Sequence, residues 1–365
     1  MNPLENRIRE MIAESGPMSL ETYMTLALAH PVHGYYASKM PLGESGDFIT
    51  APEISQMFGE LIGLWCVAVW RAMGEPRRFL FVELGPGRGS LIADALRAAG
   101  IAPDFLGAID LRLVETSEAL QRSQRGTLKD SRVAARWHKS AGELPRGPAI
   151  IVANEFFDCL PVRHFVRGKD GWHERLVGLD GEERLCFGLA PDAEPGLVLA
   201  GEFGQVFETG AAAARLMTRL AARIAAQDGA LLVIDYGYDT PGRGETLQAV
   251  KRHRFADPLR DPGEADLTAH VDFCGLSRAA RAAGARVHGP VPQGEWLARL
   301  GIHERAAKLR QHADEHQCAA IDSALLRLAG GGHGSGAPDM GRLFKALAVT
   351  QPGLCDPPGF ETASP

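Results

Sequence analysis

Residues 78–96 read RFLFVELGPGRGSLIADAL. Phe79 to Leu84 is a short, almost wholly apolar run, the pattern of a strand covered on both faces. Glu83 is its one charge; Gly85-Pro86-Gly87-Arg88-Gly89 follows, and after Ser90 the residues Leu91, Ala95, Leu96 and Ala99 recur at helical spacing. Strand, glycine turn and helix form the unit that brings a ligand against bare backbone N–H groups at a helix N-terminus. Glycine is required there because a Cβ would block close approach or a positive φ.

The spacing separates three ligands. A phosphate-binding P-loop would end in Gly-Lys-Ser/Thr, and here Arg88-Gly89-Ser90 follows Gly87. A dinucleotide fingerprint would read G-x-G-x-x-G, whereas this loop reads G-x-G-x-G. Glu83 decides more than either. Beside a pyrophosphate its charge would cost about 4 kcal/mol per pair at ~4 Å and an effective dielectric of about 20. The same carboxylate suits a ligand carrying an amine and a sulfonium, which points to S-adenosylmethionine, with its α-carboxylate at the helix N-terminus. A glycine turn that only packs helix on strand is the bland alternative.

Outward from this unit the order alternates. Strands are predicted at Phe79–Leu84, Leu111–Glu115, Val133–Trp137, Ala149–Asn154 and Ala230–Asp235, with helices after the first, second and fifth. That alternation predicts an α/β fold with a parallel, doubly wound sheet. Some 75 residues of helix and loop precede it and read as a helical N-terminal cap (1–75) on a core spanning 76–350. In the cap, Asn2 and Ser19 are helix N-caps, and Thr50-x-x-Glu53 is a capping box opening a helix to about Met73. An insertion, 162–208, holds the strand-like pieces Arg163–Val166, Trp172–Leu179 and Leu185–Phe187, and a helix follows at Ala211–Gln227. Leu247 to Thr268 reads as a loop, Arg286–Gly289 and Leu343–Thr350 as closing strands, and 351–365 as a disordered tail.

Composition narrows the class. The net charge of −6 argues against a general nucleic-acid surface, and the longest apolar run, Leu61 to Trp70, is too short to span a bilayer. Six scattered cysteines without a C-x-x-C favour free thiols in a reducing compartment. The mixed-charge N-terminus is neither a secretory signal nor a transit peptide, so a cytoplasmic location is expected. No metal spacing and no G-x-S-x-G elbow is present.

Three further constellations fall at strand ends. Glu115 ends the second strand, 30 residues beyond Gly85, where a carboxylate accepts ribose hydroxyls; an exposed strand-end glutamate is the alternative. Asn154-Glu155-Phe156-Phe157-Asp158 follows the fourth strand, beside the first across the switch point. Two carboxylates three residues apart could orient a cationic acceptor or take up protons, and could equally serve as turn and cap residues. Asp235-Tyr236-Gly237 ends the fifth strand at the same edge.

Taken together, HPVHGYY, GDFITAPEISQMFGELIG, VELGPGRGSL, VETSEALQRSQ, NEFFDCLPV, VIDYGY, HRFADPLRDPGEADLTAHVDF and GRLFKALAV, running from His30 to Val349, resemble the MidA family of S-adenosylmethionine-dependent methyltransferases. That family includes a mitochondrial protein arginine methyltransferase that assists assembly of respiratory complex I. The resemblance implies a Rossmann-like class I methyltransferase sheet with a family-specific cap and insertion, and a cofactor loop made by Gly85, Gly87 and Gly89 beside Glu83, Glu115 and Asn154. It also implies that the cap loop covers S-adenosylmethionine through Phe48, Thr50 and Ser55, and that the acceptor is a protein. For an arginine acceptor, Glu155, assisted by Asp158 or Asp47, is expected to hold the guanidinium in a bidentate fork. Neither nucleic acid nor membrane insertion is expected among the partners, and a homodimer stays open. Two other readings remain beside it: a methyltransferase for small molecules, and an assembly factor that binds the cofactor without catalysis.

Overall fold

The computed structural model describes residues 2–38, 50–240, 244–330 and 340–361. The chain forms two compact units. One comprises Met1–Phe48, Phe157–Arg215 and Tyr238–Gly275; the other comprises Ile49–Phe156, Leu216–Gly237 and Leu276–Pro365.

The second unit is built on seven strands: β1 (Phe79–Leu84), β2 (Ile109–Val114), β3 (Ala135–His138), β4 (Ala149–Asn154), β5 (Gly229–Tyr238), β6 (Arg286–Pro292) and β7 (Phe344–Thr350). Their order is β6-β7-β5-β4-β1-β2-β3. Strands β5, β4, β1, β2 and β3 run parallel, and β7 runs antiparallel between β5 and β6. Every residue of β1 and β4 is buried, which is why both read as unbroken apolar runs rather than alternating ones. The strand order reverses between β1 and β4, the switch point at which such sheets take ligands.

Four helices of this unit matter below: α1 (Ala51–Ile54), α2 (Gln56–Ala72), α3 (Ser90–Ala98) and α4 (Glu118–Thr127). Trp65, Cys66, Val69 and Trp70 of α2 share one core with Phe79 and Phe81 of β1 and Leu91, Ile92 and Ala95 of α3. Burial on this scale, at roughly 1.5–3 kcal/mol per large side chain, ties residues 56–72 to the sheet. Gly63 permits the close crossing of α2 on α3, since a Cβ there would stand 2.4 Å from the Ala95 carbonyl oxygen.

The expected boundary at residue 75 therefore differs from the observed division: residues 49–75 belong with the sheet. Nor is there one helix from Thr50. Thr50 makes no side-chain cap; α1 ends after four residues, Ser55 is extended, and its hydroxyl caps α2 by accepting from the Met57 amide. The expected disordered tail also needs correction for 351–361. Leu354 and Phe360 are buried. Phe360 packs on Trp296, and Trp65 Nε1 and Arg299 Nη1 donate to the carbonyls of Pro358 and Gly359. Two apolar anchors and satisfied carbonyls outweigh the proline-rich composition.

In the first unit, helices Pro3–Ser15 and Leu20–Ala29 start at their expected caps, Asn2 and Ser19. Their residues Leu4, Ile8, Leu20 and Met24 form a core with Val162, Val177 and Leu267. The sheet here runs Met18–Ser19, Trp172–Leu179, Arg163–Arg167, Val206–Thr209, with Leu185–Leu189 paired to Trp172–Leu179. The insertion strands thus fall where the sequence places them, but the insertion groups with the N-terminal helices. The stretch read as a loop forms a second small sheet of Gln248–Lys251, Arg254–Ala256 and Asp266–Thr268. Among the described residues no helix is long and apolar enough to cross a membrane.

Candidate active site

Within the sheet-bearing unit, the glycine turn after β1, Glu115 after β2 and Asn154 at the end of β4 come from adjacent parallel strands and share the C-terminal edge. Gly85, Gly87 and Gly89 have φ of 63°, 54° and 86°. Only glycine adopts such angles without strain; within the turn the Gly85 and Gly89 amides donate to the carbonyls of Val114 and Pro86 at 3.0 and 2.7 Å. A Cβ on Gly85 would also stand 2.7 Å from the Phe156 ring. Gly89 precedes α3 and offers no side-chain cap, which leaves the first-turn amides of α3 without an intrahelical acceptor.

Two oxygens beside this turn are buried and unpartnered: Glu83 Oε2 and Asn154 Oδ1. In the parallel register Glu83 pairs with Val152, so Glu83, Val152 and Asn154 face the same side of the sheet. Glu83 is 3% exposed. Burial, with no cation to offset it, pushes its carboxyl up to about 8. Each orphaned oxygen costs on the order of 1–3 kcal/mol, so the ligand-free edge is a polarised, unsatisfied surface. An ammonium or hydroxyl donor would satisfy these two acceptors; a pyrophosphate would add more acceptors to them. The residues present therefore fit a donor-bearing, cationic ligand.

Glu115 is buried too. Its Oε1 accepts from the Ser117 amide at 2.8 Å and its Oε2 from Gln124 Nε2 at 3.2 Å. Burial raises its pKa, while those donors act in the opposite direction. Ser117 caps α4, as its position suggests. Gln124, which the sequence did not single out, is fully buried at this edge. Its Nε2 also donates to the Gly87 carbonyl at 2.8 Å, and its Oε1 accepts from Trp137 Nε1 at 2.7 Å. Thr127 Oγ1 donates to the Arg88 carbonyl, so α4 holds the turn at two carbonyls. The available signal was helical spacing alone, which puts Gln124 four residues after the buried Leu120.

The turn after β4 is set by Asp235, which is fully buried. Its two oxygens accept from the amides of Phe156 and Tyr236. Glu155 lies at φ 47°, and its Oε1 accepts from the Ala51 amide at 2.9 Å and from Asn154 Nδ2 at 3.1 Å. Glu53 of α1, which the sequence places in a capping box, instead receives a 2.6 Å hydrogen bond from Ser90 Oγ and lies 3.5 Å from Arg88 Nη1. Of the residues expected to cover the cofactor, Thr50 and Ser55 flank α1, and Ser55 is a helix cap. Phe48 and Asp47 lie outside the described residues.

Asp158 belongs to the other unit, where it is buried. There the Tyr36 hydroxyl donates to Asp266 Oδ1 at 3.0 Å. Burial, then Asp266, Cys159 and Asp158, push the Tyr36 phenol well above its usual value. Among the described residues no group of three or more His, Cys, Asp or Glu could hold a metal ion.

A switch point carrying a left-handed glycine turn, a buried strand-end carboxyl and a second carboxylate one strand away defines a Rossmann-like methyltransferase whose cofactor is S-adenosylmethionine, as the sequence leads one to expect. The chain belongs to the family described as "Putative S-adenosyl-L-methionine-dependent methyltransferase", which matches residues 61–291. It is 39% identical to a Danio rerio protein over 83% of this chain and 78% of that one. It is 36% identical to a Homo sapiens protein, covering 86% and 77%. Both are named mitochondrial protein arginine methyltransferase NDUFAF7. Among solved structures, a candidate methyl transferase from Burkholderia thailandensis bound to S-adenosyl-homocysteine superposes with a TM-score of 0.83 at 30% identity, over 99% of this chain and 93% of that one.

Proposed function

We propose that this methyltransferase modifies an arginine side chain of a protein, with a subunit of respiratory complex I or a related protein as the acceptor. The single observation that supports arginine is the near-full-length similarity to proteins named for arginine methylation. Bound S-adenosylmethionine supplies an electrophilic methyl group on its sulfonium. This chain's part is to align and desolvate, effects that account for ~7–11 kcal/mol in favourable cases.

In this reading the backbone of Gly85, Gly87 and Gly89 takes the amino-acid end of the cofactor, and Glu83 and Asn154 receive its donors. Glu115 accepts the ribose hydroxyls on the lone pairs that Ser117 and Gln124 leave open. Thr50, Ser55 and Phe48 lie along the covering segment. On the acceptor side, Glu155, assisted by Asp158 or Asp47, localises the guanidinium charge and steers its nucleophilic nitrogen. The Oε1 of Glu155 accepts from Ala51 and Asn154, which orients the carboxylate.

The test is labelled methyl transfer from S-adenosylmethionine into a lysate lacking this chain, followed by amino-acid analysis for symmetric dimethylarginine. Wild type should label protein, and Gly87→Val should not. Label confined to the small-molecule fraction would move the assignment to a small-molecule methyltransferase. Equal rescue of a deletion strain by wild type and Gly87→Val would move it to a non-catalytic cofactor-binding factor.

A further inference from the structure

α1 is too short to hold itself. It has four residues, Pro52 inside its first turn, and no side-chain bond from Thr50 at its start. An isolated turn of this kind is unstable because nucleating it fixes several dihedrals for one hydrogen bond. Its cap-type backbone bonds among the described residues run from the Glu53 and Ile54 amides to the Thr50 carbonyl. Two carboxylates supply the remainder. Glu155, on the turn after β4, accepts from the Ala51 amide, the first amide of α1. Glu53, on α1, accepts from Ser90 Oγ, the first residue of α3, and faces Arg88 inside the glycine turn. The helix is therefore fastened at one end to the β4 turn and at the other to the glycine turn, so it bridges the two loops that flank the switch point.

The two contacts of Glu53 differ in kind. Arg88 is 44% exposed, so its 3.5 Å pair with Glu53 is weakened by water. Glu53 itself is 17% exposed, and the 2.6 Å Ser90 bond is a short hydroxyl-to-carboxylate contact of the strong class. A negative charge at the start of α3 also complements the positive end of that helix dipole, whose cap residue Gly89 supplies no side chain.

We propose that Glu53 is a positioning residue of the methyl-donor site. It fixes Ser90 and the glycine turn against α1, with Glu155 as the second fastening, so cofactor affinity depends on a residue outside the glycine motif. This rests on the reading of the glycine turn as the S-adenosylmethionine site and names a residue that sets its geometry. The bond, not the charge alone, carries the effect: a glutamine retains an acceptor for Ser90 Oγ–H, and an alanine does not.

The experiment is calorimetric titration of the full chain with S-adenosyl-homocysteine, for wild type, Glu53→Ala, Glu53→Gln, Ser90→Ala and the Glu53→Ala/Ser90→Ala double variant, with thermal melts of each ligand-free protein. Gly87→Val is run beside them. Glu53→Ala is expected to raise Kd at least tenfold while the melt stays within a few degrees of wild type. Glu53→Gln should recover most of that loss, and the double variant should be no weaker than Glu53→Ala alone. Native affinity in a folded Glu53→Ala protein, or additive losses in the double variant, would overturn the proposal while leaving the donor site standing, provided Gly87→Val abolishes binding. If wild type and Gly87→Val bind equally, the donor-site reading fails and this proposal falls with it.

Discussion

Glu83→Gln tests the electrostatics of the edge most directly. In wild type the carboxyl is buried, lacks a partner for one oxygen, and is raised from the ordinary 4.5 to about 8. Because the folded value lies above the unfolded one, the folded protein holds a proton that the unfolded chain releases. The stabilisation this gives is fully present below about pH 4.5 and is lost as pH rises through 8, at about 1.4 kcal/mol per pH unit. At pH 7 the ligand-free fold thus carries a penalty of about 3 kcal/mol at this side chain. Glutamine removes the titration and keeps the shape. Chemical denaturation of the ligand-free proteins at pH 5, 6, 7 and 8 should show the variant gaining on wild type as pH rises. Cofactor binding should move the other way. Ionising Glu83 at pH 7 costs about 1.4 kcal/mol, and a cation brought to ~4 Å returns about 4 kcal/mol at an effective dielectric of about 20. The net of roughly 2–3 kcal/mol corresponds to a loss of about 30–150-fold in S-adenosylmethionine affinity for Glu83→Gln. Wild-type binding should release a proton, read as a dependence of calorimetric heat on buffer ionisation enthalpy. Parallel stability profiles for the two proteins, or unchanged affinity without proton release, would refute the assignment of Glu83 as the cation's partner.

Gln124→Ala should be among the most destabilising single changes at this edge. It leaves the half-buried Trp137 indole N–H and Gly87 carbonyl without Gln124, at up to about 1–3 kcal/mol each, a loss that denaturant titration would read together with weakened S-adenosyl-homocysteine binding. Gly85→Ala should weaken cofactor binding at least tenfold, because its Cβ meets the Phe156 ring and its φ of 63° suits glycine. Adding Phe156→Ala should restore only part of the affinity in the same titration, since the backbone strain of about 1 kcal/mol remains. Asp158→Asn should lower methyl incorporation into protein and leave S-adenosyl-homocysteine affinity unchanged; a matched fall in both would move Asp158 out of the acceptor role.

How much of this could be read in advance depended on the length scale of each signal. β1 and β4 were legible because a buried parallel strand is an unbroken apolar run, and the glycine turn because positive φ demands glycine. The break at Ser55 was not, since Thr50-x-x-Glu53 satisfies a local capping pattern while Glu53 is claimed from outside by Ser90. The small strands at Gln248–Lys251 and Arg254–Ala256 were hidden in an Arg-, Asp- and His-rich run with too few residues each to show a period. In the same way, Pro352 and its neighbours suggested disorder, although Phe360 finds Trp296 more than sixty residues earlier. At the site, residue types that must face a ligand stood out. Gln124, which bonds to other parts of the chain, did not, and Asp235 stood out by its strand-end position without showing that it would hold the Phe156 amide.

The position of β7 has a consequence for biosynthesis. It is the last strand of its sheet in the sequence, yet it lies inside the sheet, between β5 and β6. A nascent chain therefore exposes the flank of β5 and leaves β6 without a mate until Thr350 has cleared the ribosome. During that interval the open flank invites pairing with a neighbouring polypeptide. Yield from slow or stalled translation should accordingly hinge on the stretch of the message that encodes β7, far from the codons for the glycine turn.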